Sequence, residues 1–132
     1  MATAARDGAS LRVLVIEDNG DAAASLRVAL EMGAHVVEIA GNGPDGIAKA
    51  RSFRPDVVVC DIGLPGMDGY EVARAMRADA DLSAMLLIAL TGHAGPEDVA
   101  RSREAGFDHH LAKPPDLATL RRLVGQVQRR AS

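Results

Sequence analysis

Aromatic residues are nearly missing from this sequence of 132 residues, which has no tryptophan, one tyrosine and two phenylalanines. Tyr70 and little else could stack on a planar cofactor such as a flavin. Basic charge is not in excess. Fifteen lysines and arginines face 18 acidic residues, and the net charge is −3. There is thus no basic stripe of the kind that holds nucleic-acid phosphates, and direct nucleic-acid binding is not expected. Cysteine occurs once, so Cys60 has no partner for an internal disulfide, and its setting in Val57-Val58-Val59-Cys60 reads as a small buried thiol. No apolar run approaches the ~20 residues that span a bilayer, and Met1 to Ser10 lacks the apolar centre of a secretory signal. A cytoplasmic location is the expectation.

What is present suffices for one folded unit. With 48% hydrophobic residues, a chain of this length hides roughly two-thirds of its unfolded surface. The expected organisation is one domain over residues 11–130 behind a flexible tail or linker over 1–10. Short apolar runs alternate five times with longer segments of helical period, the pattern of βα units around a parallel sheet. Val13-Leu14-Val15-Ile16 is apolar throughout rather than alternating, as a strand covered on both faces requires.

The first helix is predicted from Ala22 to Met32, with Leu26, Ala29 and Leu30 on one face and Gly33 taking the left-handed conformation at its end. A strand follows over His35 to Ala40. Pro44 fits the first turn of a helix running to about Arg51, and Pro55 marks the turn into the strand Val57 to Cys60. Turn formers from Gly63 to Gly69 lead to a helix from about Tyr70 to Arg77, then to a strand from Met85 to Leu90. Gly95-Pro96 opens the fourth helix and Gly106 closes it. After a short strand, His109 to Ala112, Asp116 caps a last helix with Leu117, Leu120, Val124 and Val127 along one face. The fold class is α/β, a flavodoxin-like doubly wound sheet of five parallel strands in the order 2-1-3-4-5 with five helices.

In such a sheet, right-handed crossovers bring the loops that follow the strands to one edge, and ligands collect where the strand order reverses. Glu17 and Asp18 follow the first strand, Asp61 the third, Thr91 the fourth and Lys113 the fifth. Singly, Asp18 reads as a helix cap, Thr91 as a turn cap and Lys113 as a surface charge. Together, at the ends of four strands, they read as a site. Three carboxylates this close repel by about 4 kcal/mol per pair at ~4 Å and an effective dielectric near 20, which calls for a cation. Oxygen ligands select a hard one, and Mg²⁺ suits because it takes few carboxylates and keeps water and phosphate oxygens as its other ligands. A carboxylate nucleophile, a metal, a lysine and a hydroxyl together describe phosphoryl transfer to an aspartate.

At these residues the chain resembles the receiver domains of two-component signalling, over about Leu11 to Val127. Val13-Leu14-Val15-Ile16-Glu17-Asp18-Asn19 is similar to the family's acidic first loop, Asp56 to Gly69 to its phosphoacceptor loop, and Leu90-Thr91-Gly92 and Lys113-Pro114 to its last two signatures. The run Gly106 to Pro114 also resembles the C-terminal receivers of hybrid histidine kinases, so a stand-alone regulator and a receiver from a longer kinase both stay open. The resemblance implies that Asp61 is the phosphoacceptor. It implies that Asp18, Asp61 and the Gly63 backbone carbonyl ligate Mg²⁺ directly, with Glu17 acting through a metal-bound water. It gives Lys113 and Thr91 contacts to phosphoryl oxygens, and makes the Lys113-Pro114 bond cis. The implied partners are a histidine kinase or phosphotransfer protein and a downstream protein target.

The chain departs from the family at His110, which stands three positions before the lysine where a switch aromatic is usual. Gly63 and His93 occupy positions that influence hydrolysis of the acyl phosphate. A metal site from His93, His109 and His110 is disfavoured, because strand alternation sends the last two to opposite faces. Other classes fit less well. A haloacid-dehalogenase-like phosphatase needs a second aspartate where Gly63 stands, and a flavodoxin-type carrier needs a phosphate loop and stacking rings. The reading is therefore a phosphoacceptor switch that assists its own phosphorylation and dephosphorylation rather than an enzyme. The alternative is a phosphorylation-independent pseudo-receiver binding module.

Overall fold

The computed structural model describes residues 10–92 and 95–131. Residues 1–9 of the expected tail and His93 lie outside the described residues. Five strands, β1 (Arg12–Ile16), β2 (Val36–Ala40), β3 (Val57–Asp61), β4 (Leu86–Thr91) and β5 (His109–Ala112), alternate with five helices, α1 (Gly20–Met32), α2 (Gly43–Phe53), α3 (Gly69–Ala78), α4 (Pro96–Ala105) and α5 (Leu117–Ala131). All strand pairs are parallel and their order is β2-β1-β3-β4-β5, as the sequence predicts. The order reverses between β1 and β3, which lie side by side with Ile16 in register with Cys60.

The unbroken apolar runs have a direct structural cause. Successive strand residues point to opposite faces, and both faces here are covered. Leu14, Ile16, Val58, Cys60, Leu87 and Ala89 pack with residues of α2, α3 and α4, whereas Val13, Val15, Val57, Val59, Ile88 and Leu90 pack with α1 and α5. Each central strand therefore serves two cores.

Helix starts follow from side-chain oxygens that take up unpaired N–H groups of the first turn. Asn19 accepts from Ala22 N at 3.0 Å, so α1 begins at Gly20, two residues earlier than predicted. Asn42 accepts from Asp45 N, with Pro44 in the first turn of α2. Asp68 and Glu71 cap α3 reciprocally, moving its start to Gly69. At α5 the Asp116 carbonyl accepts from Leu120 N, and its carboxylate, held below the usual range by the Thr119 hydroxyl and the Ala118 and Thr119 amides, fits the predicted cap.

Four local expectations are corrected. Gly33 is not left-handed: its φ is −87°, and Ala34 instead takes φ +68°. A Cβ on Gly33 would come within 3.2–3.3 Å of the His35 ring and the Leu30 carbonyl, so the glycine admits close packing and the residue after it makes the turn. His35 does not open β2, which starts at Val36. Its Nδ1 accepts from Leu11 N at 3.2 Å and bridges to the entry of β1 instead. Met85 likewise precedes β4, its carbonyl taken by Arg77 Nη1 at 2.7 Å. On α5, Leu120 and Val124 are fully buried and Val127 packs against them, but Leu117 is 37% exposed and Leu123 takes its place in the core.

Candidate functional site

The carboxyl edge of the sheet assembles the charged residues. Glu17 directly follows β1, and its backbone N–H donates to the Ala40 carbonyl, which carries the β1–β2 pairing one residue further. Its side chain is buried, while that of Asp18 is exposed. Asp61 and Thr91 are the last residues of their strands rather than the first residues of the loops: Asp61 pairs with Leu90 and Thr91 with Ala112. The ladder thereby fixes the backbone of both. Asp61 and Thr91 are buried too, at 4% and 6% exposure.

Carboxylate oxygens of Glu17, Asp18 and Asp61 lie within 4.8 Å of one another. Lys113, just past β5, reaches into them. Its Nζ is 2.9 Å from Asp61 Oδ1 and 3.2 Å from Glu17 Oε1, and its backbone N–H donates to the Thr91 carbonyl at 2.8 Å. The Lys113-Pro114 peptide is cis, as the resemblance implies. Asp61 Oδ1 also accepts from Gly63 N at 3.0 Å. Glu17 Oε2 accepts from Asn19 N at 3.1 Å. Glu17 Oε1, by contrast, is buried without an aligned hydrogen bond among the described residues, and the lysine is only an ion-pair contact.

The titration behaviour follows. Burial raises the Glu17 carboxyl above its ordinary range and the Asp61 charge adds to this, against the Asn19 amide and Lys113, which lower it. Burial works against the Lys113 ammonium, yet its contacts with the Asp61 and Glu17 carboxylates outweigh this and raise its pKa. Cys60 is free and buried beside Asp61, and burial pushes its thiol far up, helped by the charges of Asp61 and Glu17. That is the inert thiol the sequence suggests.

The cluster fits a divalent cation on its own chemistry. Three carboxylates face one ammonium, the donors are hard oxygens, and one buried oxygen lacks a proper hydrogen bond. Among the described residues, this is the one group of three or more His, Cys, Asp or Glu side chains close enough to hold a metal ion. Beside it opens a depression of about 490 Å³, lined by Asn19, Ala22, Leu26, Pro114 and Leu117. Gly69 lets α3 start against the site. A Cβ there would fall 2.6 Å from the Asp61 carbonyl and 2.7 Å from Ile62 Cα.

The structure thus brings together Glu17, Asp18, Asp61 and Lys113, with Gly63 and Thr91 adjoining. His110 lies apart, its Nδ1 2.9 Å from Ser102 Oγ on α4. Sequence reading missed two residues. Asn19, which both caps α1 and holds Glu17, carries a signal, since an asparagine just before a helical period is a common cap. Ser102 carries none, being an ordinary serine in a helical segment. No helix among the described residues is long and apolar enough to cross a membrane.

The model of the response regulator receiver domain family matches residues 13–125. The chain is 35% identical over 116 residues to Protein PilH of Pseudomonas aeruginosa, covering 88% of this chain and 96% of PilH. It is 38% identical over 125 residues to the transcriptional regulatory protein PrrA of Mycobacterium bovis, covering 93% of this chain but 52% of PrrA. It therefore spans nearly all of the first relative and about half of the second. Among solved structures, the chemotaxis protein CheY4 of Vibrio cholerae superposes with a TM-score of 0.84 at 28% identity, over 90% of this chain and 99% of that one. A signal receiver domain of a histidine kinase from Syntrophus aciditrophicus gives 0.82 at 31% identity, over 89% of both chains. The chain belongs to the response regulator receiver domain family of two-component signalling.

Proposed function

We propose that this domain is a phosphoacceptor switch in which Asp61 takes a phosphoryl group from a phosphohistidine of a partner histidine kinase or phosphotransfer protein. The observation that carries the reading is the contact of Lys113 Nζ with both Asp61 and Glu17 inside a cluster of three carboxylates. A structural ion pair needs one acid. Two buried acids and a third beside them form a site that is short of positive charge until a cation enters.

In the transfer, a carboxylate oxygen of Asp61 forms the new O–P bond as the P–N bond to the donor imidazole breaks, its electron pair going to the ring nitrogen. Asp61 Oδ1 is held by Gly63 N and Lys113, so the carboxylate is oriented before the donor arrives. Lys113 neutralises charge on the moving group, and the Thr91 hydroxyl, at the end of β4 beside it, hydrogen-bonds another phosphoryl oxygen. Asp18, Asp61 and the Gly63 carbonyl would hold Mg²⁺ directly, with Glu17 behind a bound water. When bound, the ion supplies the charge neutralisation that three carboxylates and a phosphoryl group require. The Asp61 product carries close to two added negative charges. Shifting a two-state surface from 1:99 to 99:1 takes about 5.5 kcal/mol of differential stabilisation, a scale that new charge-assisted contacts of this kind reach. The readout is a protein-binding surface for a downstream protein target in the cytoplasm.

Intact mass after incubation with acetyl phosphate, with and without Mg²⁺, tests this on wild type and Asp61→Asn. A Mg²⁺-dependent gain of one phosphoryl mass in wild type, absent from the variant, is expected. No gain with either acetyl phosphate or a phosphorylated kinase would refute the reading and favour the pseudo-receiver binding module.

A further inference from the structure

The amino edge of the sheet, opposite the acidic cluster, carries a second charged assembly that phosphoryl transfer does not use. Arg77, in the last turn of α3, donates from Nε to the Gly106 carbonyl at 2.8 Å, from Nη1 to the Ser83 and Met85 carbonyls at 2.7 Å each, and from Nη2 to Asp108 Oδ2 at 2.8 Å. A guanidinium holds its donors in one rigid plane. These four contacts therefore fix three segments in one geometry: the end of α3, the α3–β4 connection and the α4–β5 connection. Gly106 permits the approach, since it takes φ +119° and a Cβ there would fall 2.6 Å from Arg77 Cγ.

Asp108 passes the constraint to the sheet. Its Oδ2, which receives Arg77, also accepts from Leu87 N at 2.8 Å, and its own N–H donates to the Leu87 carbonyl at 2.8 Å. The residue just before β5 thus clasps β4 by both backbone groups of Leu87. β5 needs such a clasp. It has four residues, none of them buried, and pairs with β4 alone, and a strand with little buried side-chain surface specifies its register weakly. That register is what places Lys113. Ala112 pairs with Thr91, Lys113 N donates to the Thr91 carbonyl, and from there Nζ reaches Asp61 and Glu17. A slip that keeps each side chain on its own face moves the strand by two residues, about 6–7 Å, and takes the ammonium out of contact with both carboxylates.

We propose that Arg77, through Asp108, is a positioning residue for Lys113: it pins the register of β5 at the amino edge of the sheet and so holds the ammonium at Asp61 on the other edge, about 16 Å away along the strand. The pin does not depend on the phosphoacceptor reading; its bearing on phosphoryl transfer rests on that reading. Scalar couplings across hydrogen bonds, between backbone ¹⁵N and ¹³C′ in the full chain, read the register directly. Couplings from Asp108 N to Leu87 C′ and from Lys113 N to Thr91 C′ are expected in wild type. In Arg77→Met both should be lost while those between β1 and β3 remain, and Arg77→Lys, which keeps the charge but not the fork, should not restore them. A Lys113–Thr91 coupling kept in a folded Arg77→Met would overturn the pin. If that variant does not fold, Asp108→Ala, which leaves the three carbonyl contacts of Arg77 in place, decides by the same Lys113–Thr91 coupling.

Titration with MgCl₂ separates positioning from general loosening. With Lys113 drawn away the carboxylates lose their counter-charge, so Arg77→Met should bind Mg²⁺ about fivefold more tightly than wild type, on the scale of a partly exposed charge pair. The gain should vanish on a Lys113→Met background. Unchanged or weaker binding in Arg77→Met, or an equal effect with and without Lys113, is what a purely structural role gives and would overturn the proposal. No Mg²⁺ binding to wild type would count against the phosphoacceptor reading, and the couplings alone would then decide the pin.

Discussion

Replacing Lys113 by methionine removes the one ammonium among three carboxylates while keeping most of the side chain's volume. At an effective dielectric near 20, the contacts at 2.9 Å to Asp61 and 3.2 Å to Glu17 are each worth about 5–6 kcal/mol of Coulomb attraction. Much of this does not survive as stability. The lysine side chain is 34% exposed, which screens it, and burying its charge has its own cost. A net loss of about 2–4 kcal/mol remains, in the range for removing one partner of a buried pair. Urea unfolding at neutral pH in EDTA measures it, with the m-value unchanged. The same reasoning sets the response to metal. With Lys113 gone the carboxylates hold a divalent cation more tightly, so saturating Mg²⁺ should stabilise Lys113→Met more than wild type, through preferential binding to the native state. A loss under about 0.5 kcal/mol in EDTA, or an equal Mg²⁺ increment in both proteins, would refute the claim that Lys113 is the cluster's counter-charge.

Three further outcomes test the fold around the site. Gly69→Ala should destabilise by about 2–3 kcal/mol, because its Cβ would meet backbone atoms at 2.6–2.7 Å; a thermal midpoint at or above wild type would show that this approach is not fixed. Ala34→Gly should stabilise by about 0.5–1 kcal/mol, since alanine at φ +68° bears left-handed strain that exceeds glycine's extra entropy in the unfolded chain; a drop in the urea midpoint would contradict this. Burial lowers the pKa of His35 against the opposing pull of Asp56, and its Nδ1 accepts from Leu11 only when neutral. Its folded pKa lies below the unfolded value of about 6.5, so the native state binds fewer protons. The contribution of His35 is therefore present above pH 6.5 and lost as pH falls through the folded pKa. Chemical unfolding at pH 8 and 5.5 on wild type and His35→Gln checks this, and an equal acid loss in both proteins would count against it.

By itself the sequence determined the fold class and which polar residues the strands carry to one edge. Continuous apolar runs of strand length, each followed by a helical period, can bury both faces only in a parallel sheet with helices on either side. That topology sends Glu17, Asp18, Asp61, Thr91 and Lys113 to one edge wherever each strand ends. Residue type and order along the chain carry this information, and so does the likeness to receiver domains, whose signatures are short local runs.

What distances between elements control was decided by the tertiary structure. Asp61 and Thr91 end strands rather than begin loops because β4 and β5 extend beside them, and a strand's end depends on its neighbour's length. Gly33 was a natural candidate for the left-handed turn, yet Ala34 makes it, since the His35 ring and the Leu30 carbonyl crowd the space a Cβ would need at Gly33. Leu117 keeps the helical period of its neighbours but is left exposed, and Leu123 is buried instead. The sharing of Lys113 between Asp61 and Glu17, and the reach of His110 to Ser102, join residues from different strands and helices. Local propensity has no term for such contacts, because chain periodicity says which face a side chain occupies and only packing says what it meets there.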